Sequence, residues 1–108
     1  MAMRLVIIIN TEDPETAWNA LRLGTAALDA GHKVSVFLLG NGVEIEKIRS
    51  AQFNVGELLT KFARNKAPLL GCGTCMGLRH QEAGVIIKST LADLVKLIAD
   101  SDKVVTFG

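Results

Sequence analysis

The chain has 108 residues, 49% of them hydrophobic, and twelve Lys and Arg residues against eleven Asp and Glu residues give a net charge of +1. This length predicts one domain over residues 1–108, because no Pro- or Ser-rich linker divides the chain. The near-neutral charge provides no global field to attract nucleic acid or an anionic membrane. The apolar run near the N-terminus is too short for a signal peptide or a membrane span, which predicts a cytoplasmic protein.

Strands and helices are predicted alternately along the first part of the chain. Leu5–Ile9 is an apolar, largely β-branched run, typical of a buried parallel strand. Asp13 is then predicted to cap a helix that has Pro14 in its first position and stops at Gly31. A second strand is predicted over residues 34–39.

In the middle of the chain, a segment with a weak secondary-structure pattern is followed by one with a clear helical pattern. Residues 43–54 have a few apolar positions at helical spacing among polar neighbours, which predicts a mobile loop with some helix. Residues 55–63 form a clear amphipathic pattern and predict a helix. Lys61, Arg64 and Lys66 form a basic cluster there, which we interpret as a solvated helix face rather than a binding site.

The last part of the chain continues the alternation. Pro68 opens a third strand, and after a loop a short helix is predicted over residues 76–82, broken by Ala83-Gly84. Residues 85–87 are predicted to be a short extended piece. The remaining elements are a helix capped by Thr90, with Leu91, Leu94, Val95 and Ile98 on its predicted buried face, and a closing strand over residues 103–107.

This order of elements predicts an α/β fold. We expect a three-layer sandwich in which helices cover both faces of a mostly parallel sheet of four to five strands. In such sheets the functional loops gather at the carboxyl ends of the strands. Cys72 should therefore lie near Asn10, Glu12, Asn41 and Gly42, which follow the first two strands.

Both cysteines of the chain lie where the third strand runs into the next helix. Cys72 and Cys75 are spaced C-x-x-C in a Gly-rich turn. The first N–H groups of a helix are unpaired and carry the positive end of its dipole, so they stabilise a thiolate and lower the pKa of a thiol. We therefore predict sulfur or thiol chemistry at this pair.

Several neighbours of the cysteines are predicted to support that chemistry. Arg79, and His80 when protonated, would also stabilise a thiolate if the loop folds back. Gly71, Gly73 and Gly77 allow the backbone to approach a bound anion or persulfide without a Cβ in the way.

Other uses of the two thiols are less favoured. A structural disulfide closing so small a loop constrains little, and nothing in the sequence suggests secretion. A structural zinc site needs four ligands, whereas His32 and His80 are far apart in the sequence and lack zinc-finger spacing. No metal is therefore predicted. Neither a Walker motif nor a dinucleotide fingerprint follows the first strand, so no nucleotide cofactor is predicted either.

The order of elements, the run Cys72-Gly73-Thr74-Cys75, the Arg79 that follows it and the ending from Ser89 to Phe107 resemble the DsrE/DsrF-like family, which includes TusD-type and YchN-type proteins. The resemblance implies a flavodoxin-like α/β sandwich, homotrimers or homohexamers, and a cysteine that carries a persulfide in a sulfur relay. By position that cysteine is Cys72. The sequence departs from the family pattern at His80, where Gly is common, and at Cys75, a second cysteine.

These observations predict a persulfide carrier or sulfurtransferase that exchanges sulfur with donor and acceptor proteins. Cys72 is the expected nucleophile, and Cys75 is expected to resolve the persulfide, to accept the sulfur or to form a disulfide. Two alternatives remain open at this point. One is a dithiol redox protein that uses both thiols, and the other is a subunit that binds a small ligand or a partner and whose cysteines are incidental.

Overall fold

The computed structural model describes residues 2–82 and 84–108, and its centre is a five-stranded sheet. The strands are β1 (Arg4–Ile9), β2 (Lys33–Leu38), β3 (Leu69–Cys72), β4 (Ile87–Ser89) and β5 (Lys103–Phe107). They lie in the order β4-β3-β2-β1-β5, and every neighbouring pair is parallel. The predicted α/β sandwich is confirmed, with all strands parallel rather than most of them.

Helices cover both faces of this sheet. The α-helices are α1 (Pro14–Asp29), α2 (Val55–Arg64), α3 (Gly73–Leu78) and α4 (Leu91–Asp100), and a 3-10 helix spans Gly40–Lys47. Helices α1 and α2 pack against each other on one face, and α4 lies on the other. Within the described ranges, no helix is long and apolar enough to cross a membrane.

Alternation along the strands divides the buried side chains between the two faces. Leu5, Ile7 and Ile9 of β1 join the larger cluster, which includes residues of α1 and α2. Val6 of β1 points the other way and joins a smaller cluster with Leu94 of α4. Because side chains on a strand alternate, each apolar strand supplies both cores. The smaller cluster is the one that contains Cys72.

The first helix begins as the sequence predicts. Asp13 has extended backbone angles, and its Oδ2 accepts hydrogen bonds from the backbone N and the hydroxyl of Thr16, at 2.9 and 2.8 Å. These bonds lower the pKa of the Asp13 carboxyl, because they favour its ionised form. Pro14 occupies the first turn, where its missing N–H leaves no helical bond unmade.

Two predicted elements had wrong boundaries. The short helix expected over residues 76–82 is α3, which begins earlier and ends at Leu78. The extended piece expected over residues 85–87 is β4, Ile87–Ser89, because hydrogen bonding to β3 determines the strand and its register. The predicted break at Ala83-Gly84 falls partly outside the described residues, since Ala83 is not among them.

The predicted buried face of α4 was also largely wrong. Of its four residues only Leu94 is buried, and Leu91, Val95 and Ile98 are 56%, 65% and 41% exposed. Leu97, which was not predicted to be buried, packs with Leu94 against the smaller cluster. The side of α4 that faces the sheet therefore contains Leu94 and Leu97, and the other apolar residues of the helix are left uncovered. A stripe of large apolar side chains therefore lies on the outside of this chain.

Residues 43–54 contain more regular structure than the prediction of a mobile loop with some helix. The 3-10 helix covers Gly40–Lys47, and its Val43 and Ile45 are fully buried in the larger cluster. Asn54 then caps α2 through its Oδ1, which accepts the N–H of Glu57 at 3.1 Å. The segment lies at the carboxyl edge of the sheet, where it borders the two cysteines.

Candidate functional site

Cys72 is the last residue of β3 and the N-cap of α3. Its side chain lies on the α4 face of the sheet, among Val6, Phe37 and Leu94, and it is 5% exposed. The parallel register places it beside Ser89 at the end of β4. Both thiols of the chain are free. The nearly buried sulfur of Cys72 thus lies where β3 ends and α3 begins. The sequence predicts this position between a strand and a helix.

Opposing effects act on the Cys72 thiol. Burial raises its pKa, because a thiolate loses solvation among apolar side chains. The backbone N–H and side chain of Cys75, together with the backbone N–H and side chain of Thr74, favour the thiolate. The net pKa of Cys72 is lowered, although no close capping hydrogen bond to its side chain is formed within the described residues. The Cys72 thiol is therefore more easily ionised than a thiol with the same burial and without these neighbours.

Cys75 occupies the third position of α3 and is half-buried. It packs against both core clusters, so it lies at the boundary between the two faces of the sheet. The backbone N–H of Gly40 donates a hydrogen bond to its Sγ at 3.3 Å. This contact joins α3 to the start of the 3-10 helix, 35 residues away in the sequence.

The loops after β1 and β2 meet at Gly40. Gly40 has a φ of +55°, and an added Cβ would lie 2.5 Å from Oδ1 of Asn10. Asn10 is therefore next to the residue that contacts Cys75, as expected from the shared carboxyl edge. Asn41 follows in the 3-10 helix and is half-buried, and its side chain makes no hydrogen bond to either cysteine within the described residues.

Arg79 lies at the end of α3, and its guanidinium points back along the helix. Its Nη1 donates to the carbonyl oxygen of Cys75 at 3.2 Å, and its Nε lies 3.9 Å from Oε2 of Glu44. Neither Arg79 nor Glu44 is among the causes of the lowered Cys72 pKa. The predicted electrostatic assistance by Arg79 stays a prediction, since the guanidinium is engaged by these two oxygens.

His80 is exposed and has a φ of +51°, directly after the helix. Its N–H donates to Gly77 O and the N–H of Gln81 donates to Met76 O, so the helix ends in a left-handed turn. The family pattern places a Gly where this conformation is adopted. The His therefore preserves the helix end, at the cost of a backbone conformation that glycine adopts more readily.

Two of the three glycines predicted to open the site, Gly71 and Gly73, have crowded but different surroundings, whereas a Cβ on Gly77 would meet nothing within 4 Å. A Cβ on Gly71 would lie 2.8 Å from Ile86 and 2.9 Å from Met76, on the face opposite Cys72. A Cβ on Gly73 would lie 3.1 Å from the carbonyl oxygen of Ser89. Gly71 therefore makes room for buried side chains, whereas Gly73 makes room for the end of β4 beside the cysteine loop.

The sequence analysis missed four residues of this region. Gly40 contacts Cys75, Thr74 helps to lower the Cys72 pKa, Glu44 pairs with Arg79, and Gln81 donates from Nε2 to Val43 O at 2.6 Å. Of these four residues, only Gly40 belongs to a sequence pattern that indicates a turn, because a Gly-Asn-Gly run ends the second predicted strand. The contacts of Glu44 and Gln81 join segments that are distant in the sequence, whereas Thr74 lies two residues from Cys72.

The described residues contain no group of three or more His, Cys, Asp or Glu side chains arranged to hold a metal ion. His32 lies at the opposite edge of the sheet, where its Nδ1 accepts the N–H of Met3 at 2.9 Å. The site itself contains two free thiols and the backbone N–H groups beside them.

Comparison with known protein families gives a match over nearly the whole chain. The model of the DsrE/DsrF-like family matches residues 3–107. The chain belongs to the DsrE/DsrF-like family. The resemblance seen in the sequence is thereby confirmed, and membership indicates a sulfur-relay or related function.

Individual relatives extend over nearly the whole chain. An uncharacterized protein of Methanocaldococcus jannaschii, MJ0989, is 36% identical over 97% of this chain and 100% of its own length. An uncharacterized protein of Methanopyrus kandleri, MK0008, is 32% identical over 95% of this chain and 93% of its own. The crystal structure of the ychN protein from E. coli has a TM-score of 0.86 and 24% identity, covering 97% and 99% of the two chains. This last likeness supports the fold.

Proposed function

We propose that this member of the DsrE/DsrF-like family is a persulfide sulfur carrier, or sulfurtransferase, of a cytoplasmic sulfur relay. Cys72 is the sulfur-accepting thiolate. The observation that supports this assignment is the lowered pKa of a thiol that is nearly buried, where desolvation alone would raise it. Perturbation by a specific set of donors is typical of reactive cysteines.

Loading is a thiol–persulfide exchange. The Cys72 thiolate attacks the outer sulfur of a donor persulfide, the donor S–S bond breaks, and the donor leaves as a thiolate that takes up a proton. The new Cys72 persulfide contains one additional sulfur. No net oxidation occurs, so this exchange requires no redox cofactor. The N–H groups of Thr74 and Cys75 favour the Cys72 thiolate that makes this attack.

Two fates are open to the loaded sulfur. An acceptor thiolate attacks the outer sulfur, takes it, and restores the Cys72 thiolate. Alternatively the Cys75 thiolate attacks Cys72 Sγ, forms a Cys72–Cys75 disulfide and expels hydrosulfide, so that the outer sulfur is reduced while the two thiols are oxidised. A dithiol reductant then restores the pair. Cys75 is thus the resolving thiol of the proposal.

Donor and acceptor proteins are the proposed partners, together with other copies of the chain in a homotrimer or homohexamer. The exposed stripe of Leu91, Val95 and Ile98 on α4 supports self-association, because monomers rarely expose adjoining large apolar side chains without a partner. Light scattering at micromolar concentration tests this part of the proposal. A monomer there would contradict it.

Mass spectrometry after incubation with cysteine persulfide tests the carrier. We expect the intact protein to become one sulfur heavier and to lose that sulfur to dithiothreitol. Cys72→Ser should abolish the gain, and the matched variant Cys75→Ser should still load and hold the sulfur longer. Loading of Cys72→Ser to the level of the parent would refute the role given to Cys72.

A dithiol redox protein is the second candidate, because two free thiols lie one helical turn apart at the start of α3. That function requires both cysteines, so either substitution would end disulfide turnover and neither single variant would accumulate persulfide. The third candidate, a ligand- or partner-binding subunit with incidental cysteines, predicts neither loading nor disulfide turnover. The same two variants therefore separate all three.

A further inference from the structure

Cys72 and Cys75 occupy the two positions that form a capping box in other helices. Cys72 is the N-cap of α3, and Cys75 is the third helical residue. In a capping box the N-cap side chain faces the N–H of the third residue, while the side chain of the third residue reaches back to the N-cap. The C-x-x-C spacing places both cysteines at the first turn of α3, and Cys75 also packs against the smaller cluster that contains Cys72.

Cys75 is in turn held from outside the helix. The Gly40 N–H donates to its Sγ at 3.3 Å, so the sulfur already accepts a bond from the β2 side. A thiol that accepts one hydrogen bond has its S–H polarised and free to point elsewhere. The neighbouring sulfur of Cys72 lies among apolar side chains apart from Cys75.

We propose that Cys75 is a positioning residue for the sulfur-accepting step: its S–H donates to the Cys72 thiolate, and the Gly40 N–H orients it for that task. This inference deepens the proposed function and rests on it. Cys75 then has two successive roles, as a hydrogen-bond donor before loading and as the resolving thiol afterwards. Gly40, at the end of β2, becomes part of the same unit.

The charged groups around the pair do not supply an equivalent donor. Asp93 of α4 accepts the Ser89 hydroxyl at 3.1 Å, and Arg79 is bonded to the Cys75 carbonyl and lies beside Glu44. Among the described residues, the groups that favour the Cys72 thiolate belong to Cys75 and Thr74. Removal of the Cys75 donor should therefore raise the pKa of Cys72, without compensation by a neighbouring charge.

The test compares Cys75→Ser with Cys75→Ala. Both variants lack the resolving thiol and retain Cys72 as the only cysteine, but only serine can donate a hydrogen bond. We would measure the rate of Cys72 alkylation by iodoacetamide against pH, with thermal unfolding as the check that both variants fold. The midpoint for Cys75→Ala should lie about half a pH unit or more above that of Cys75→Ser. Equal midpoints would overturn the proposal.

The role of Gly40 has its own matched control. Gly40→Ala introduces a Cβ 2.5 Å from Oδ1 of Asn10 at a φ of +55°, so the Asn10 side chain or the Gly40 backbone must move, whereas Gly31→Ala imposes a positive φ, +88°, with nothing within 4 Å. In the Cys75→Ser background, Gly40→Ala should raise the alkylation midpoint of Cys72 and Gly31→Ala should leave it unchanged. Equal effects of the two substitutions would remove Gly40 from the proposal.

These measurements need no sulfur donor, so they are independent of the carrier function. A difference between Cys75→Ser and Cys75→Ala, combined with failure of the parent protein to load persulfide, would sustain the donor role of Cys75 and refute the carrier. Normal persulfide loading combined with equal alkylation midpoints would sustain the carrier function and refute the donor role of Cys75.

Discussion

Gly71 offers a prediction whose magnitude follows from the packing beneath the cysteine loop. An alanine Cβ there would lie 2.8 Å from Cγ2 of Ile86 and 2.9 Å from Sδ of Met76, both fully buried side chains. Carbon atoms pack at about 3.5–4.0 Å, so the overlap is about half an ångström or more. Overpacking of this kind costs about 1–3 kcal/mol, and the lower entropy of the unfolded Ala chain offsets less than about 1 kcal/mol of it.

We therefore expect Gly71→Ala to lower the free energy of unfolding by about 1–2 kcal/mol. That change corresponds to a fall in Tm of roughly 4–15 °C for a domain near this size. Gly77→Ala is the control, since a Cβ on this helical residue meets nothing within 4 Å and should add about 0.5–1 kcal/mol. Urea unfolding measures both. A midpoint for Gly71→Ala equal to the parent's, or shifts of the same sign in both variants, would refute the packing argument.

Three further substitutions have defined outcomes. His80→Gly should raise the free energy of unfolding by roughly 1 kcal/mol, because it relieves the positive φ after α3; a loss of stability would contradict this. Leu94→Ala should lower the free energy of unfolding by about 2–4 kcal/mol and Val95→Ala by less than about 0.5 kcal/mol, since only Leu94 is buried. Similar urea midpoints for the two variants in a monomeric sample would contradict this. The lowered Asp13 pKa contributes stability that is present above the carboxyl's unfolded pKa and disappears as pH falls through its folded pKa. Asp13→Ala should therefore lose stability relative to the parent near pH 6 and converge with it near about pH 2.

The parts of the fold that could be predicted are those with local causes. The apolar run of β1 and the cap at Asp13 each follow from a few adjacent residues. The parallel sheet followed from the alternation of strand and helix patterns. The position of Cys72 at a strand end and helix start likewise followed from its place between two local patterns.

The parts that could not be predicted depend on tertiary contacts. Apolar periodicity on α4 identifies a helix, but it does not say that Leu94 meets the sheet while Leu91 and Val95 stay exposed. The 3-10 helix is held by contacts to distant segments, such as the bond from Gln81 to Val43 O and the bond from Ile86 N to Glu46 Oε1 at 3.4 Å. The bond between Gly40 and Cys75 is of the same kind.

The meeting of Gly40 with the thiols is a consequence of strand register. Leu38 of β2 pairs with Gly71 of β3, so both strands end together and their following loops emerge side by side. A slip of this register by one residue would turn every side chain of β3 to the opposite face of the sheet. Cys72 would then leave the α4 side and enter the larger cluster beneath α1 and α2. The surroundings of the Cys72 thiol thus depend on the register between β2 and β3.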